Sequence, residues 1–173
     1  MVTFAEKAQV SLPSDREVSV KRAFMAPRAL VYEAYTTPQL VKRWLLGPPG
    51  WTMPVCEMDV RVGGKFRWRW RSSEDGSEFG FHGEFREVQA PARLRHTEAY
   101  DPGDVGGTMG DAGEAIVTVT FAETGGITTM VTLVDYGSKE ARDAALSTGM
   151  TDGMEMSYQL LDALLAEQRP GPE

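Results

Sequence analysis

The sequence lacks features on which several classes of protein depend. Cys56 is the single cysteine among 173 residues, so the chain has no internal disulfide and no thiolate metal cluster. No apolar run approaches the roughly 18 residues that a membrane-spanning helix needs, and the amino terminus has no charged region followed by an apolar stretch. We therefore expect a protein of a reducing compartment, by default the cytoplasm, that does not associate with a membrane.

Positive charge is also scarce. The chain carries 18 Lys and Arg residues against 25 Asp and Glu residues, for a formal net charge of −7. Affinity for nucleic acid comes largely from many Lys and Arg side chains that displace counterions from phosphates. The composition therefore argues against a nucleic-acid-binding protein, although Arg61, Arg67, Arg69 and Arg71 could form a local basic patch.

Motifs for metal, cofactor and phosphate binding are missing as well. The sequence contains neither H-E-x-x-H nor G-x-S-x-G, and two histidines with one cysteine do not supply a typical zinc site. The Gly-rich stretch at residues 101–113 has no lysine and matches no phosphate-binding pattern. We expect no metal and no cofactor, and we interpret residues 101–113 as a hairpin loop or as a lid.

The length and the 42% apolar content fit one compact domain. Residues 1–13 lack periodicity and end at a proline, which predicts an N-terminal arm. Residues 14–168 would then form the single domain, and residues 169–173 a C-terminal tail.

The period of the hydrophobic residues predicts the order of the elements. A strand over residues 15–24 precedes two short helices, which Pro27 and Pro38 open. From residue 138 onward apolar residues recur at helical spacing, which predicts a long C-terminal helix with a bend near Gly149 and Gly153. Short turns separate six antiparallel strands between these regions: Val55–Val62, Lys65–Arg71, Glu78–Val88, Arg93–Tyr100, Glu114–Ala122 and Ile127–Tyr136.

The stretch "GKFRWRWR" alternates aromatic and basic residues with a period of two, and "EFGFHGEF" repeats the scheme. In two paired strands, all the large rings then point to one side and the charged residues to the other. The rings are Phe66, Trp68, Trp70, Phe79, Phe81 and Phe85. Exposing all of them would leave a larger apolar patch than a monomer tolerates, so the aromatic face is predicted to point inward.

The predicted architecture is α+β: a curved antiparallel sheet of about seven strands wraps around the long C-terminal helix, with two short helices after the first strand. Side chains cannot fill such a curved sheet completely, so we expect a cavity between sheet and helix. Its predicted wall combines the six rings with residues of the second helix, the strand over residues 93–100 and the last helix: Trp44, His96, Glu98, Tyr100, Met150, Met154 and Tyr158.

His96 and Glu98 share the inward face of their strand with Leu94 and Tyr100. Two residues apart, they lie about 6.5 to 7 Å from one another. Three interpretations remain open for this pair: hydration at the open end of the sheet, anchoring of a polar group of a ligand, or acid–base catalysis assisted by Tyr100. His82 is predicted on the outer face, and Cys56 as a small apolar residue.

Several segments together resemble the helix-grip superfamily, also called START-like or SRPBCC and typified by the major birch-pollen allergen. The segments are "PSDREVSVKRAFMAPRALVYEAYTTPQLVKRW", "DVRVGGKFRW", "GEFREVQAPARL" and "YGSKEARDAALSTGMTDGMEMSYQLLDALL". Within the superfamily they are most similar to the bacterial branch named after the activator of the heat-shock-protein ATPase, close to the polyketide cyclases and dehydrases. This resemblance implies a cavity for lipids, polyketides or other small apolar molecules.

Three functions are compatible with these observations. The first is a carrier or sensor of a small hydrophobic ligand. The second is an enzyme of the cyclase, dehydratase or hydrolase kind that uses His96, Glu98 and Tyr100. The third is a co-chaperone of a heat-shock ATPase, which only the family name supports. We expect the first function, with a small hydrophobic molecule as the partner, since the fold alone does not fix a reaction. The sequence leaves open whether the protein is a monomer or a homodimer.

Overall fold

The computed structural model describes residues 7–101 and 113–168, which form an α+β fold around one antiparallel sheet. The eight strands lie in the order β1-β2-β8-β7-β6-β5-β4-β3. Their bounds are β1 Gln9–Ser11, β2 Glu17–Phe24, β3 Trp51–Met58, β4 Lys65–Ser72, β5 Glu78–Gln89, β6 Arg93–Asp101, β7 Glu114–Thr124 and β8 Ile127–Asp135. This arrangement confirms the predicted helix-grip class.

The described residues include four helices, each of which contacts the sheet. Helices α1 (Arg28–Thr36) and α2 (Pro38–Trp44) follow β2, and α3 (Lys139–Leu146) and α4 (Met150–Gln168) follow β8. None of them, within the residues described, is long and apolar enough to cross a membrane.

The C-terminal helical region is broken where the sequence predicts a bend. Gly149 has a φ of +78°, in the left-handed region that favours glycine, and it separates α3 from α4. Gly153 lies inside α4 without interrupting it, so only the first of the two predicted bend positions is confirmed.

Two differences from the predicted strands are found at the edges of the sheet. The arm contains β1, a three-residue strand that pairs with β2; all its residues are exposed, so no period-two pattern marks it. The strand predicted over residues 55–62 is β3, which begins at Trp51 and ends at Met58. Pro54 made residues 51–54 unlike a strand, but β3 is an edge strand, where a missing N–H is tolerated, and the ladder is irregular at that point.

The aromatic hairpin adopts the predicted alternation. Phe66, Trp68 and Trp70 are buried, whereas Arg67 and Arg71 of the same strand are exposed. Glu78 on the neighbouring strand β5 forms ion pairs with Arg71 at 2.7 Å and with Arg69 at 3.2 Å. Arg69 and Arg71 of "GKFRWRWR" therefore form ion pairs on the outside of the sheet, and the rings face the interior.

One buried arginine holds α4 over the sheet. Arg22 points inward from β2 and lies 3.1 Å from Glu155 and 2.7 Å from Asp162, both on α4. Burial alone would lower the pKa of Arg22, but the two carboxylates raise it above its ordinary value. The guanidinium thus stays charged and fixes the position of the helix that closes the interior.

Candidate ligand-binding cavity

A cavity of about 600 Å³ lies between the concave face of the sheet and the helices. Its wall comes from α1 and α2, from inward residues of β3 to β8, and from the first turns of α4. The side chains are predominantly apolar and aromatic, as in most sites for small molecules, and the volume lies within the range of roughly 300 to 1,000 Å³ for such sites.

Nearly all the residues predicted for the wall do line this cavity: Trp44, Trp68, Trp70, Phe79, Phe81, His96, Glu98, Tyr100, Met150, Met154 and Tyr158. The exceptions are Phe66 and Phe85, which lie outside the wall. They are 2% and 1% exposed, and their ring centroids are 4.8 and 5.7 Å from that of His96. These two rings fill the space behind His96 and belong to the packed core.

The remaining rings of the hairpin form a continuous aromatic wall. Trp70 stacks on Phe79 with 5.3 Å between centroids, and Phe81 lies 5.4 Å from Tyr100 on the neighbouring strand β6. Trp51 meets the edge of this wall at 5.2 Å from Phe79. The wall is partly accessible, since Phe79, Phe81 and Tyr100 are only half-buried.

Two indole groups at the cavity are fixed by hydrogen bonds. The Nε1–H of Trp44 donates to the Ala34 carbonyl at 2.9 Å, and that of Trp70 donates to the Leu45 carbonyl at 2.6 Å. The first bond joins α2 to α1, and the second joins β4 to the residue that follows α2. Both rings are therefore oriented before any ligand arrives. Trp44 is therefore both a core residue, at 1% exposure, and a residue of the cavity wall.

Glu98 projects from β6 into the cavity, and burial raises its pKa to about 7. No group of the described residues donates a hydrogen bond to its carboxyl. The hydroxyls of Tyr35 and Tyr136 lie close enough for the Glu98 charge to add to burial in raising their pKa values. Near neutral pH, the cavity thus holds one carboxyl group poised between its two protonation states.

His96 is more deeply enclosed than Glu98. Its Nδ1–H donates to the Thr97 carbonyl at 2.9 Å, and burial lowers its pKa to about 4 even though that bond favours the charged form. Its Nε2 is buried and has no hydrogen-bond partner among the described residues, and the same is true of the Trp68 Nε1–H. His96 is therefore neutral at pH 7 and does not form an ion pair with Glu98.

Two further candidates lie away from the cavity. Burial raises the pKa of Cys56 to about 11, although Lys42 acts in the opposite direction, so the thiol stays protonated and unreactive. His82 is exposed on the outer face of β5. The possible lid over residues 101–113 falls mostly on residues 102–112, outside the described residues, while Gly113 lines the cavity.

The sequence did not single out several other wall residues. Tyr35, Tyr136, Thr132, Ser157 and the segment 45–48 all line the cavity. The segment is held by the Gly47 N–H, which donates to the Ser157 hydroxyl at 2.8 Å. Inward parity on β8 marks Thr132 next to Met130 and Val134, but no local pattern marks the exit of α2.

Comparisons with known proteins identify a family and solved structures that this chain resembles. The family model described as activator of Hsp90 ATPase homolog 1-like protein matches residues 25–166. A solved structure from Rhodobacter sphaeroides is 32% identical, with 94% of this chain and 99% of that chain covered and a TM-score of 0.84. The AHSA1-like protein from Aeromonas hydrophila shares the fold at 22% identity, with 91% and 99% covered and a TM-score of 0.70. No curated protein matches.

Proposed function

The chain belongs to the family of activator of Hsp90 ATPase homolog 1-like proteins, in the helix-grip superfamily, and we propose that it binds a small hydrophobic molecule as a carrier or sensor. The observation that carries the proposal is the cavity of about 600 Å³, lined mainly by aromatic and aliphatic side chains. Apolar surface in such a preformed space favours a ligand that removes it from water.

The pre-oriented wall supports this proposal. The rings of Trp44 and Trp70 are held by hydrogen bonds to backbone carbonyls, so filling the cavity by their collapse would break those bonds. A net cost of about 0.5 to 1.5 kcal/mol accompanies the loss of one such bond, and more follows if the partner is left buried and unsatisfied. A preformed wall lowers the ordering cost of binding.

A direct test uses the uncharged fluorophore N-phenyl-1-naphthylamine. We expect saturable binding in the micromolar range, with enhanced dye fluorescence and a higher melting temperature, since a ligand that binds the folded state stabilises it. Native mass spectrometry of freshly purified protein should reveal any co-purified small molecule. The proposal fails if a broad panel of uncharged apolar molecules neither binds nor shifts the melting temperature.

A cavity-filling variant locates the binding site. Gly153 lies on α4 at the cavity wall, and outside its own helix the one described heavy atom within 4 Å of a Cβ added there is Pro48 Cδ, at 4.0 Å. Gly153→Leu should place its side chain in the cavity and weaken dye binding at least tenfold. Ala163→Leu adds the same residue at an exposed position of α4 and should leave dye binding unchanged. Equal binding by both variants would put the dye elsewhere.

One observation favours a second candidate, an acid–base enzyme. The pKa of about 7 for Glu98 is suited to proton transfer near neutral pH. The lowered pKa of His96 argues against this imidazole as the acid–base partner of Glu98. Mass analysis of a bound ligand recovered from wild type and from Glu98→Gln decides between the two: a chemically altered product that requires Glu98 would replace the carrier proposal.

A further inference from the structure

Glu98 is the one charged or acidic residue among the described residues that line the cavity, and none of the others is Lys or Arg. Residues 102–112, between β6 and β7, likewise contain no Lys or Arg. We infer that the ligand is a lipophilic amine, an apolar or aromatic molecule with one basic nitrogen. Its ammonium group pairs with the Glu98 carboxylate. This inference rests on the proposed function.

The first argument for an amine is the charge of Glu98. A carboxylate in an apolar cavity needs a cationic partner, because burying an unpaired charge is costly. The protein offers none from the described wall, and no described group donates a hydrogen bond to Glu98. A ligand with its own carboxylate, such as a fatty acid, would place like charges in one low-dielectric space, whereas an ammonium group supplies the missing charge.

The surroundings of Glu98 support the same chemistry. Tyr100 follows on the inward face of β6, and Phe81 lies opposite Tyr100 in the β5–β6 register with 5.4 Å between ring centroids. Trp70 adjoins Phe81 at 5.9 Å. Aromatic faces attract ammonium groups through the ring quadrupole, and the attraction is stronger where water is excluded. An amine next to Glu98 would therefore meet both a carboxylate and aromatic rings.

The other titratable groups around Glu98 stay neutral and do not compete for the amine. They are Tyr35 from α1, Tyr136 at the end of β8, Tyr158 from α4, and His96 and Tyr100 from β6. Burial raises the pKa of each of these tyrosines and lowers that of His96 to about 4. Glu98 is thus the group that responds to a bound cation near pH 7.

This assignment predicts a pH dependence of binding. An alkylamine stays protonated up to about pH 10, by analogy with lysine, whereas Glu98 ionises around pH 7. Binding the cation requires the ionised carboxyl, so it displaces the proton of Glu98 below that pH. The affinity for an amine should therefore rise about tenfold from pH 6 to pH 8, and the affinity for an uncharged analogue should fall slightly or stay constant.

The experiment compares three probes that share one body: 2-(1-naphthyl)ethylamine, 2-(1-naphthyl)ethanol and 1-naphthylacetic acid. Isothermal titration at pH 8 should rank them amine, alcohol, acid, with the amine at least tenfold tighter than the alcohol. Glu98→Gln should remove most of that preference while the alcohol still binds. Glu57→Gln, which removes the same charge from an exposed position of β3, should behave like wild type.

The outcomes separate this inference from the proposed function. If the alcohol binds as well as the amine, or if Glu98→Gln binds the amine as wild type does, the amine assignment is overturned and cavity binding stands. Absence of amine binding while N-phenyl-1-naphthylamine binds also overturns it. If neither the naphthyl probes nor that uncharged dye bind, the proposed function falls as well.

Discussion

The two ends of the aromatic hairpin differ although one alternating pattern encodes both. Phe66 and Phe85 are almost completely buried and lie behind His96 in packed core. At the other end, Phe79 and Phe81 face the same way but are only half-buried, because they border the cavity. A period of two thus decides to which side a residue points, and something else decides whether that side is filled.

The last helix shows a similar contrast along its own length. The later turns of α4 bury Leu161, Leu164 and Leu165. Its beginning presents Gly153 to the cavity and follows Gly149, and neither glycine has a side chain that could reach the sheet. The two ends of α4 therefore resemble the two ends of the hairpin: bulky residues where the core is packed and small ones where space remains.

The largest expected effect comes from truncating one ring at each end. Phe85→Ala should lower the free energy of unfolding by about 3 to 5 kcal/mol, because it leaves a new void in packed core. Phe79→Ala should cost only about 1 to 2 kcal/mol, because its ring is partly exposed and borders existing space. Urea unfolding of both variants measures the contrast. Equal losses would mean that the cavity is closed around Phe79 in solution.

The two ends are also expected to differ in binding. Phe79→Ala should weaken binding of N-phenyl-1-naphthylamine, since it removes part of the wall. Phe85→Ala, measured well below its melting temperature, should retain binding. The reverse order would assign the ligand to the packed end of the sheet.

The next effect concerns Glu98 at the cavity end. Its pKa is raised from 4.5 to about 7 on folding, so its stabilising contribution is complete below pH 4.5 and is lost as the pH rises through 7. The loss corresponds to about 3 kcal/mol. Glu98→Gln, which does not titrate, should therefore gain about that much relative to wild type between pH 4 and pH 8. A difference that does not vary with pH would contradict the burial of this carboxyl.

His96, at the border with the packed core, should show the opposite sign. Its pKa falls from 6.5 to about 4 on folding, so its contribution is complete above pH 6.5 and is lost as the pH falls through 4. Relative to His96→Gln, wild type should lose about 3 kcal/mol over that range. Between pH 4.5 and pH 6.5 the slopes from Glu98 and His96 cancel in wild type, so only the single variants reveal them.

Much of the fold follows from the sequence because its signals are local. Alternation places the hairpin rings inward, and Pro27 and Pro38 mark the starts of the two short helices. Prediction was less accurate where one element depends on a distant one. Gln9–Ser11 form a strand only because β2 offers an unpaired edge, and Trp51–Met58 accommodate Pro54 only because β3 is itself an edge strand.

The same distinction between local and distant signals applies to the residues of the candidate site. The inward face of β6 could be predicted from parity, which is how His96, Glu98 and Tyr100 were identified. Parity could not separate Phe66 and Phe85 from the cavity wall, because their environment depends on how closely the helices approach the sheet. Tyr35 escaped notice since an amphipathic helix with a weak apolar stripe does not indicate which polar-tipped residue will reach the cavity.

The smallest effect is expected for two methionines, one in the packed core and one at the cavity. Met130 is completely buried on β8, whereas Met154 is half-buried where α4 borders the cavity. Leucine has a similar volume but a branched shape, and such exchanges usually cost less than about 1.5 kcal/mol. Met130→Leu should approach that value because tightly packed neighbours resist the change of shape. Met154→Leu should be nearly neutral, since the cavity accepts a displaced methyl group and the two residues favour a helix about equally. If urea unfolding gave Met154→Leu the larger loss, the first turns of α4 would be packed as tightly as the core.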